Sequence, residues 1–227
     1  MKLPLSNRLL TCCQFVRPGD RVADIGCDHG YLGIHLLQSG IASSVIASDV
    51  NRKPLESAVA NARKFGVQER ISFFLSDGVR QIPRDFDCLV CAGMGADTMI
   101  SILEAAPWLQ DSKYRLILQC QSKRPALRKF LAQAGFSISR ETLAQDGKFL
   151  YPVTEVTYAP VPSPAPWEYY ITPQLLSDNS PLLPAFLRRV IGGLEDSIKG
   201  LQREGGEKYR ETAEILQHLY ELEGAKS

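Results

Sequence analysis

The chain has 227 residues, of which 44% are hydrophobic and 22% charged, and its net charge is +1. Those figures describe a globular chain with room for one large core and exclude a disordered polyelectrolyte. No run reaches the ~18–20 apolar residues of a membrane span. The N-terminal MKLPLSNRLLTCCQF lacks the long apolar centre of a secretory leader, so a cytoplasmic location is expected.

The charge is unevenly spread. Residues 161–227 carry 7 basic against 10 acidic groups, and residues 1–160 carry 19 against 15. The basic surplus tolerates a polyanion without requiring one. Six cysteines, Cys12, Cys13, Cys27, Cys88, Cys91 and Cys120, all precede residue 121. Cys88 and Cys91 form a CxxC, but no second pair or nearby His pair completes a tetrahedral metal site. The surrounding FDCLVCAG reads as a buried strand, where cysteine serves as a small hydrophobe. Free thiols fit a reducing compartment, and no metal is expected.

Taken in chain order, short Val/Ile/Leu/Phe-rich runs predict strands at 21–26, 44–50, 71–77, 86–93, 114–121, 136–143 and 153–158. Helical periodicity falls at 31–39, 52–65, 96–106 and 123–134. Strand alternating with helix implies βαβ units and a mostly parallel α/β sheet. Five βα units are expected, followed by a hairpin turning at Asp146-Gly147, which makes the last strand antiparallel at one sheet edge. Pro160, Pro162, Pro164, Pro166 and Pro173 then break any regular element, predicting a linker or wrapping loop over 159–184. Leu183, Leu187, Val190, Leu194, Ile198 and Leu201 recur at helical spacing. Tyr209, Thr212, Leu216 and Leu219 follow more weakly, with Gly205-Gly206 between the two runs. A C-terminal helical hairpin, or short coiled coil, is predicted. The domain division expected is 1–160 and 161–227.

The segment that carries chemistry is Val22-Ala23-Asp24-Ile25-Gly26-Cys27-Asp28-His29-Gly30-Tyr31. It reads as a strand, a glycine turn and a helix start, which is where open α/β sheets bind ligands. A dinucleotide fingerprint wants GxGxxG. Here Asp28 stands two residues after Gly26, and its carboxylate would repel a pyrophosphate. Asp24 adds a second negative charge. S-adenosylmethionine fits better, because it has no phosphate and carries sulfonium and ammonium cations. Asp49 lies 23 residues after Gly26, a distance suited to ribose hydroxyls. Ser76-Asp77-Gly78 follows the third strand and can face adenine. Each acid alone is readily a turn or helix cap, but three acids each following a strand are harder to explain that way. Ala92-Gly93-Met94-Gly95 closes the fourth strand and permits close approach of cofactor or target. Its plainer reading is a tight strand-to-helix turn.

DIGCDHGYL, SDVN, SDG, AGMG and LILQ together resemble the bacterial tRNA adenine N1-methyltransferases that modify position 22 in the D-arm, and the similarity runs along the whole chain. The resemblance implies a Rossmann-like class I methyltransferase domain with a C-terminal coiled coil, S-adenosyl-L-methionine as cofactor and tRNA as partner. It places Asp24, Gly26, Asp28, His29 and Tyr31 in the cofactor loop. Asp49, Asn51, Asp77 and Gly78 fall at the adenosine end, and Gly93, Met94 and Gly95 beside the methyl group. The chain departs from the family in GMGA for GMGG, and in Gln119-Cys120-Gln121 where Gln-Pro-Asn is usual.

N1 of adenine lies on the Watson–Crick edge, so a paired target must be exposed or flipped. Its lone pair is already nucleophilic, leaving positioning as the main task. Asp28 and Gln121 are the catalytic candidates, with His29 or Tyr31 shaping the pocket. A helix cap is the competing reading of Asp28. Lys2, Arg8, Lys123, Arg124, Arg128 and Lys129 are candidate phosphate contacts. A monomer without membrane or metal partners is expected. The alternatives are a methyltransferase for another RNA position, a protein or a small molecule; a nicotinamide oxidoreductase, disfavoured by Asp28; and a non-catalytic module assembling through the helical hairpin.

Overall fold

The computed structural model describes residues 3–202 and 206–226. Seven strands form one sheet, in the order β3-β2-β1-β4-β5-β7-β6. The five parallel strands are β1 (Arg21–Ile25), β2 (Ser44–Asp49), β3 (Ile71–Leu75), β4 (Cys88–Met94) and β5 (Arg115–Cys120). Two longer strands, β6 (Phe136–Asp146) and β7 (Phe149–Tyr158), form the antiparallel hairpin at the edge, with β7 antiparallel to β5. Gly147 and Lys148 make its two-residue loop, as the Asp146-Gly147 pair predicts.

Helices cover both faces. On one lie α1 (Asn7–Cys13), α2 (Tyr31–Gln38) and α3 (Arg52–Lys64); on the other lie α4 (Ala96–Glu104) and α5 (Arg124–Gln133). The central strands are apolar on both faces for that reason: Val22, Val90 and Ile117 pack with the first group, and Ala23, Leu89 and Leu116 with the second. Consecutive strands step outwards from β1 to β3, and the chain then returns to place β4 beside β1. This reversal leaves a crevice beyond the carboxyl ends of β1 and β4.

Two expectations about the elements need correction. There are four βα units, not five: residues 76–87, between β3 and β4, contain no helix. That segment is a turn held by the Ser76 hydroxyl and the Gln81 side chain, and it buries Val79, Ile82 and Phe86. The other is α1, which the sequence reading missed. It is only seven residues long and has no acidic or basic end signals.

The Pro-rich segment is more ordered than a linker. It forms a turn of 3-10 helix at Pro166–Tyr169 and α6 (Pro173–Ser177), started by Thr172 accepting from the Leu175 amide. Beyond it α7 (Leu183–Leu201) runs unbroken through Gly192-Gly193 and pairs with α8 (Glu207–Lys226). Tyr220–Glu195 and Arg188–Glu223 contacts make the pair antiparallel. Gly206 precedes α8 with φ +90, while Gly205 lies outside the described residues. Leu143 and Leu150 of the β6–β7 hairpin share one apolar cluster with Ile171, Leu175, Phe186, Leu194 and Leu219. Beneath it, Glu141 accepts from Arg128 (2.7 Å) and from the Thr154 and Thr172 hydroxyls. Arg128 also donates to the Tyr169 and Tyr170 carbonyls. No described helix is long and apolar enough to cross a membrane.

Candidate functional site

A cleft of about 780 Å³ opens at the β1/β4 reversal. Its floor is the turn after β1. The Gly26 and Cys27 amides both donate to the Ser48 carbonyl (2.8 and 2.9 Å), strapping the turn to β2. Gly26 has φ +71, a conformation that favours glycine, and a Cβ there would stand 2.2 Å from the Met94 methyl and displace it. The chain stays left-handed at Asp28 (φ +49) and Gly30 (φ +72), and α2 begins at Tyr31 with no side-chain cap. The helix-cap reading of Asp28 therefore fails. Its exposed carboxylate is free to face the cleft, 3.7 Å from His29 Nε2.

Carboxylates dominate the lining. Asp24, Asp28, Asp49, Asp77 and Asp97 all contribute, against Arg8 as the one Arg or Lys among the lining residues. Asp24 is 4% exposed and its Oδ2 has no hydrogen-bond partner among the described residues. Burial pushes its carboxyl up to about 7, opposed by the Gly33 amide and assisted by nearby Asp49. Asp49 is used differently. Its two oxygens accept from the Asn51 amide (2.8 Å) and the Asp28 amide (3.2 Å), tying the β1 and β2 turns together. The His29 ring stacks on Tyr31 with centroids 5.7 Å apart. Asp77 is exposed and pairs with Arg80 at 3.4 Å.

The opposite wall is built by a bulge in β4. Register slips between Ala92 and Met94, leaving Gly93 at φ +82. The Gly93 amide donates to Gln119 Oε1 (3.1 Å), and the Arg8 guanidinium donates to the same oxygen (3.0 Å). Two donors on one oxygen fix the orientation of that amide. Gln119 Nε2 is left buried without a partner among the described residues. Arg8 also reaches Asp146 in the hairpin, with Nε 3.4 Å from its carboxylate.

Eleven of the sequence-derived residues therefore line one cleft: Asp24, Gly26, Asp28, His29, Tyr31, Asp49, Asn51, Asp77, Gly78, Gly93 and Met94. Gly95 does not; it is the N-cap of α4, where a Cβ would stand 2.8 Å from the Ser122 hydroxyl. Gln121 also lies off the lining, exposed, its backbone amide bonded to the Met94 carbonyl. The residue one turn of the strand earlier, Gln119, makes the contact to Gly93 instead. Sequence reading missed Gln119 and missed Asp97, Thr98 and Ser101 of α4, and it considered Arg8 only as a phosphate contact. Arg128 is corrected: buried on Glu141, it is not available to a phosphate. Arg124 lies over the Phe186 ring and Lys123 pairs with Asp97, while Lys129 is exposed and Lys2 lies outside the described residues. All six cysteines are buried and unpaired, and the described residues hold no group able to bind a metal.

A doubly wound sheet with an acid-lined cleft at its reversal point is the Rossmann-like architecture whose ligands bind at the switch point. The methyltransferase-domain family matches residues 5–154, and the chain belongs to that family. A Bacillus subtilis tRNA (adenine(22)-N(1))-methyltransferase is 34% identical over 149 residues, 65% of this chain and 63% of that protein. The chain spans about three fifths of the length of the curated relatives it matches. Among solved structures, a Streptococcus agalactiae protein of the NADB-Rossmann superfamily superposes with a TM-score of 0.87 at 27% identity, covering 98% of this chain and 99% of that one. A candidate tRNA (m1A22) methyltransferase of Streptococcus pneumoniae, solved with S-adenosyl-L-methionine, gives 0.84 at 27% identity, covering 96% and 99%.

Proposed function

We propose that the protein transfers a methyl group from S-adenosyl-L-methionine to N1 of adenine 22 in the D-arm of tRNA. The observation that carries the cofactor is the unpartnered, buried Asp24 oxygen in a cleft with five carboxylates. Such a lining suits a cation and repels a diphosphate. When bound, S-adenosylmethionine supplies an electrophilic methyl on a sulfonium. Asp24 and Asp28 would hold its positive groups, Asp49 and Asn51 its ribose, and Asp77 with Gly78 its adenine. Gly26 and Gly93 let the floor and far wall lie close to the ligand, and the Met94 methyl takes the space a side chain at Gly26 would fill. His29 and Tyr31 offer a stacked aromatic wall to the target base. Asp28 accepts a hydrogen bond from the exocyclic amine of the target adenine as positive charge develops on the ring. Gln121 acts from the rim.

The substrate assignment rests on the likeness to the Bacillus and Streptococcus proteins. On this reading the enzyme is a cytoplasmic monomer whose α7–α8 hairpin is a short coiled coil, and its six free thiols suit that compartment. The test is methyl transfer from labelled cofactor to unmodified bacterial tRNA, followed by nucleoside analysis. The expected product is 1-methyladenosine, lost when position 22 is not adenine. Label in another nucleotide, or in no RNA at all, would overturn the substrate.

A further inference from the structure

The tip of the β6–β7 hairpin has a rigidity and a surface that the cofactor cleft does not require. It is fastened from two sides. From α1, the Asn7 side chain donates to the Gln145 carbonyl (3.1 Å) and Arg8 pairs with Asp146. From α7, the Arg189 guanidinium donates to the Lys148 carbonyl. On this fixed tip Phe149 is 51% exposed and belongs to none of the apolar clusters. Residues two apart share a strand face, and the Phe149 and Tyr151 rings lie 6.1 Å apart, tilted by 36°. Lys148 Nζ stands 5.4 Å from the Phe149 centroid. Arg8 connects this tip to the cleft, since the same guanidinium holds Asp146 and lines the pocket.

A lone exposed phenylalanine is ordinary. A pair of aromatic rings on an anchored strand, with Lys148 over one of them and the cleft-lining Arg8 held at Asp146, has the make-up of a surface for unpaired nucleotides. Bases stack on such rings whatever their identity, and the cations meet the backbone. We propose that the hairpin tip is a stacking platform for an unpaired nucleotide of the RNA substrate, with the Phe149 ring as its base contact. Lys148 supplies charge for the adjacent phosphate. The proposal rests on the reading of RNA as substrate, and it assigns a docking edge outside the cofactor cleft.

The test is fluorescence anisotropy of the full chain with labelled unmodified tRNA and with single-stranded oligoadenylate. Phe149→Ala should weaken binding of both about tenfold. Phe149→Trp should restore it, and Lys148→Glu should weaken it with a shallower salt dependence. Equal affinity of wild type and Phe149→Ala, or no binding by the wild type, would overturn the platform. Methyl transfer is measured separately. A wild type that binds through Phe149 yet forms no 1-methyladenosine sinks the proposed function and keeps the platform. One that methylates equally well with and without the ring does the reverse.

Discussion

The two rims of the cleft differ in charge and in what holds them. The rim at the ends of β1, β2 and β3 presents Asp24, Asp28, Asp49 and Asp77, fixed by backbone bonds within parallel βα turns. The other, basic rim lies outside the cleft's lining except for Arg8: α1 and the β6–β7 hairpin present Arg8, Lys148 and the exposed Phe149 ring, and side chains from distant segments hold them. An acidic lining with a cationic edge beyond it, linked by Arg8, suits two ligands of opposite charge: a cationic cofactor in the cleft and a polyanion outside it. It also suggests that the rims fail differently. Damage to the first should cost cofactor affinity, and damage to the second should cost stability or RNA binding.

The largest effect is expected where the basic rim meets the C-terminal segment. Arg128→Ala leaves Glu141, 1% exposed, without its cation. An uncompensated buried charge costs about 3–5 kcal/mol. For a chain of this size that lowers Tm by roughly 10 °C. Cofactor affinity below the new Tm should stay near the wild-type value, because no lining residue moves. Calorimetry showing an unchanged Tm would mean the ion pair does not anchor the segment.

Gly26→Val strikes the acidic rim next. It places a β-branched residue at φ +71 with its Cβ 2.2 Å from the Met94 methyl. Strain of this kind is worth roughly 1–3 kcal/mol, and it falls on the cofactor's floor. Titration calorimetry should show cofactor binding weaker by at least about tenfold, with the chain still folded. Full affinity would show that the turn is not the binding floor.

The acidic rim was legible in the sequence because each of its residues sits within a few positions of a strand end, so local spacing alone locates it. Asp24, Asp49 and Asp77 follow one another along the chain as they do around the cleft. The basic rim was not legible for the converse reason. Arg8 meets Gln119 across 111 residues and Asn7 meets Gln145 across 138, and no periodicity reports such a contact. A seven-residue helix without end signals gave no warning that α1 lay over the sheet. Gln121 was chosen over Gln119 because it stands where the resembling family carries Asn and keeps the amide. The β4 bulge draws Gly93 back to the earlier glutamine instead. The fifth βα unit had no helical pattern of its own behind it, and Val79 and Ile82 are buried in a wrapped turn between β3 and β4.

Asp24→Asn should have a smaller effect that depends on pH. The folded protein holds the Asp24 proton up to about 7, whereas an unfolded aspartate loses it near ~4. Between those values the native state binds more protons than the unfolded state, so stability falls as pH rises through the window and levels off above it. Asn removes that slope, so the free variant should be more stable than the parent at pH 8. It should also bind the cofactor about tenfold more weakly, because a charge-assisted contact is lost. The parent's affinity should climb between pH 6 and about 7 while the variant's stays flat. Parallel pH profiles would remove Asp24 as the group that meets the cation.

The smallest effect belongs to Asp77→Asn, and it tests which way the ligand lies. Asp77 is exposed and already shares its charge with Arg80 at 3.4 Å. A pair so open to water contributes under about 1 kcal/mol. If this position faces the adenine amine, an amide oxygen still accepts that hydrogen bond, and because water screens the lost charge at so exposed a side chain, cofactor affinity should change by less than about threefold. A tenfold loss would mean that the charge itself is read at the end of β3. The cationic end of the ligand would then lie over Asp77 rather than over Asp24, and the orientation inferred for the whole acidic rim would have to be reversed.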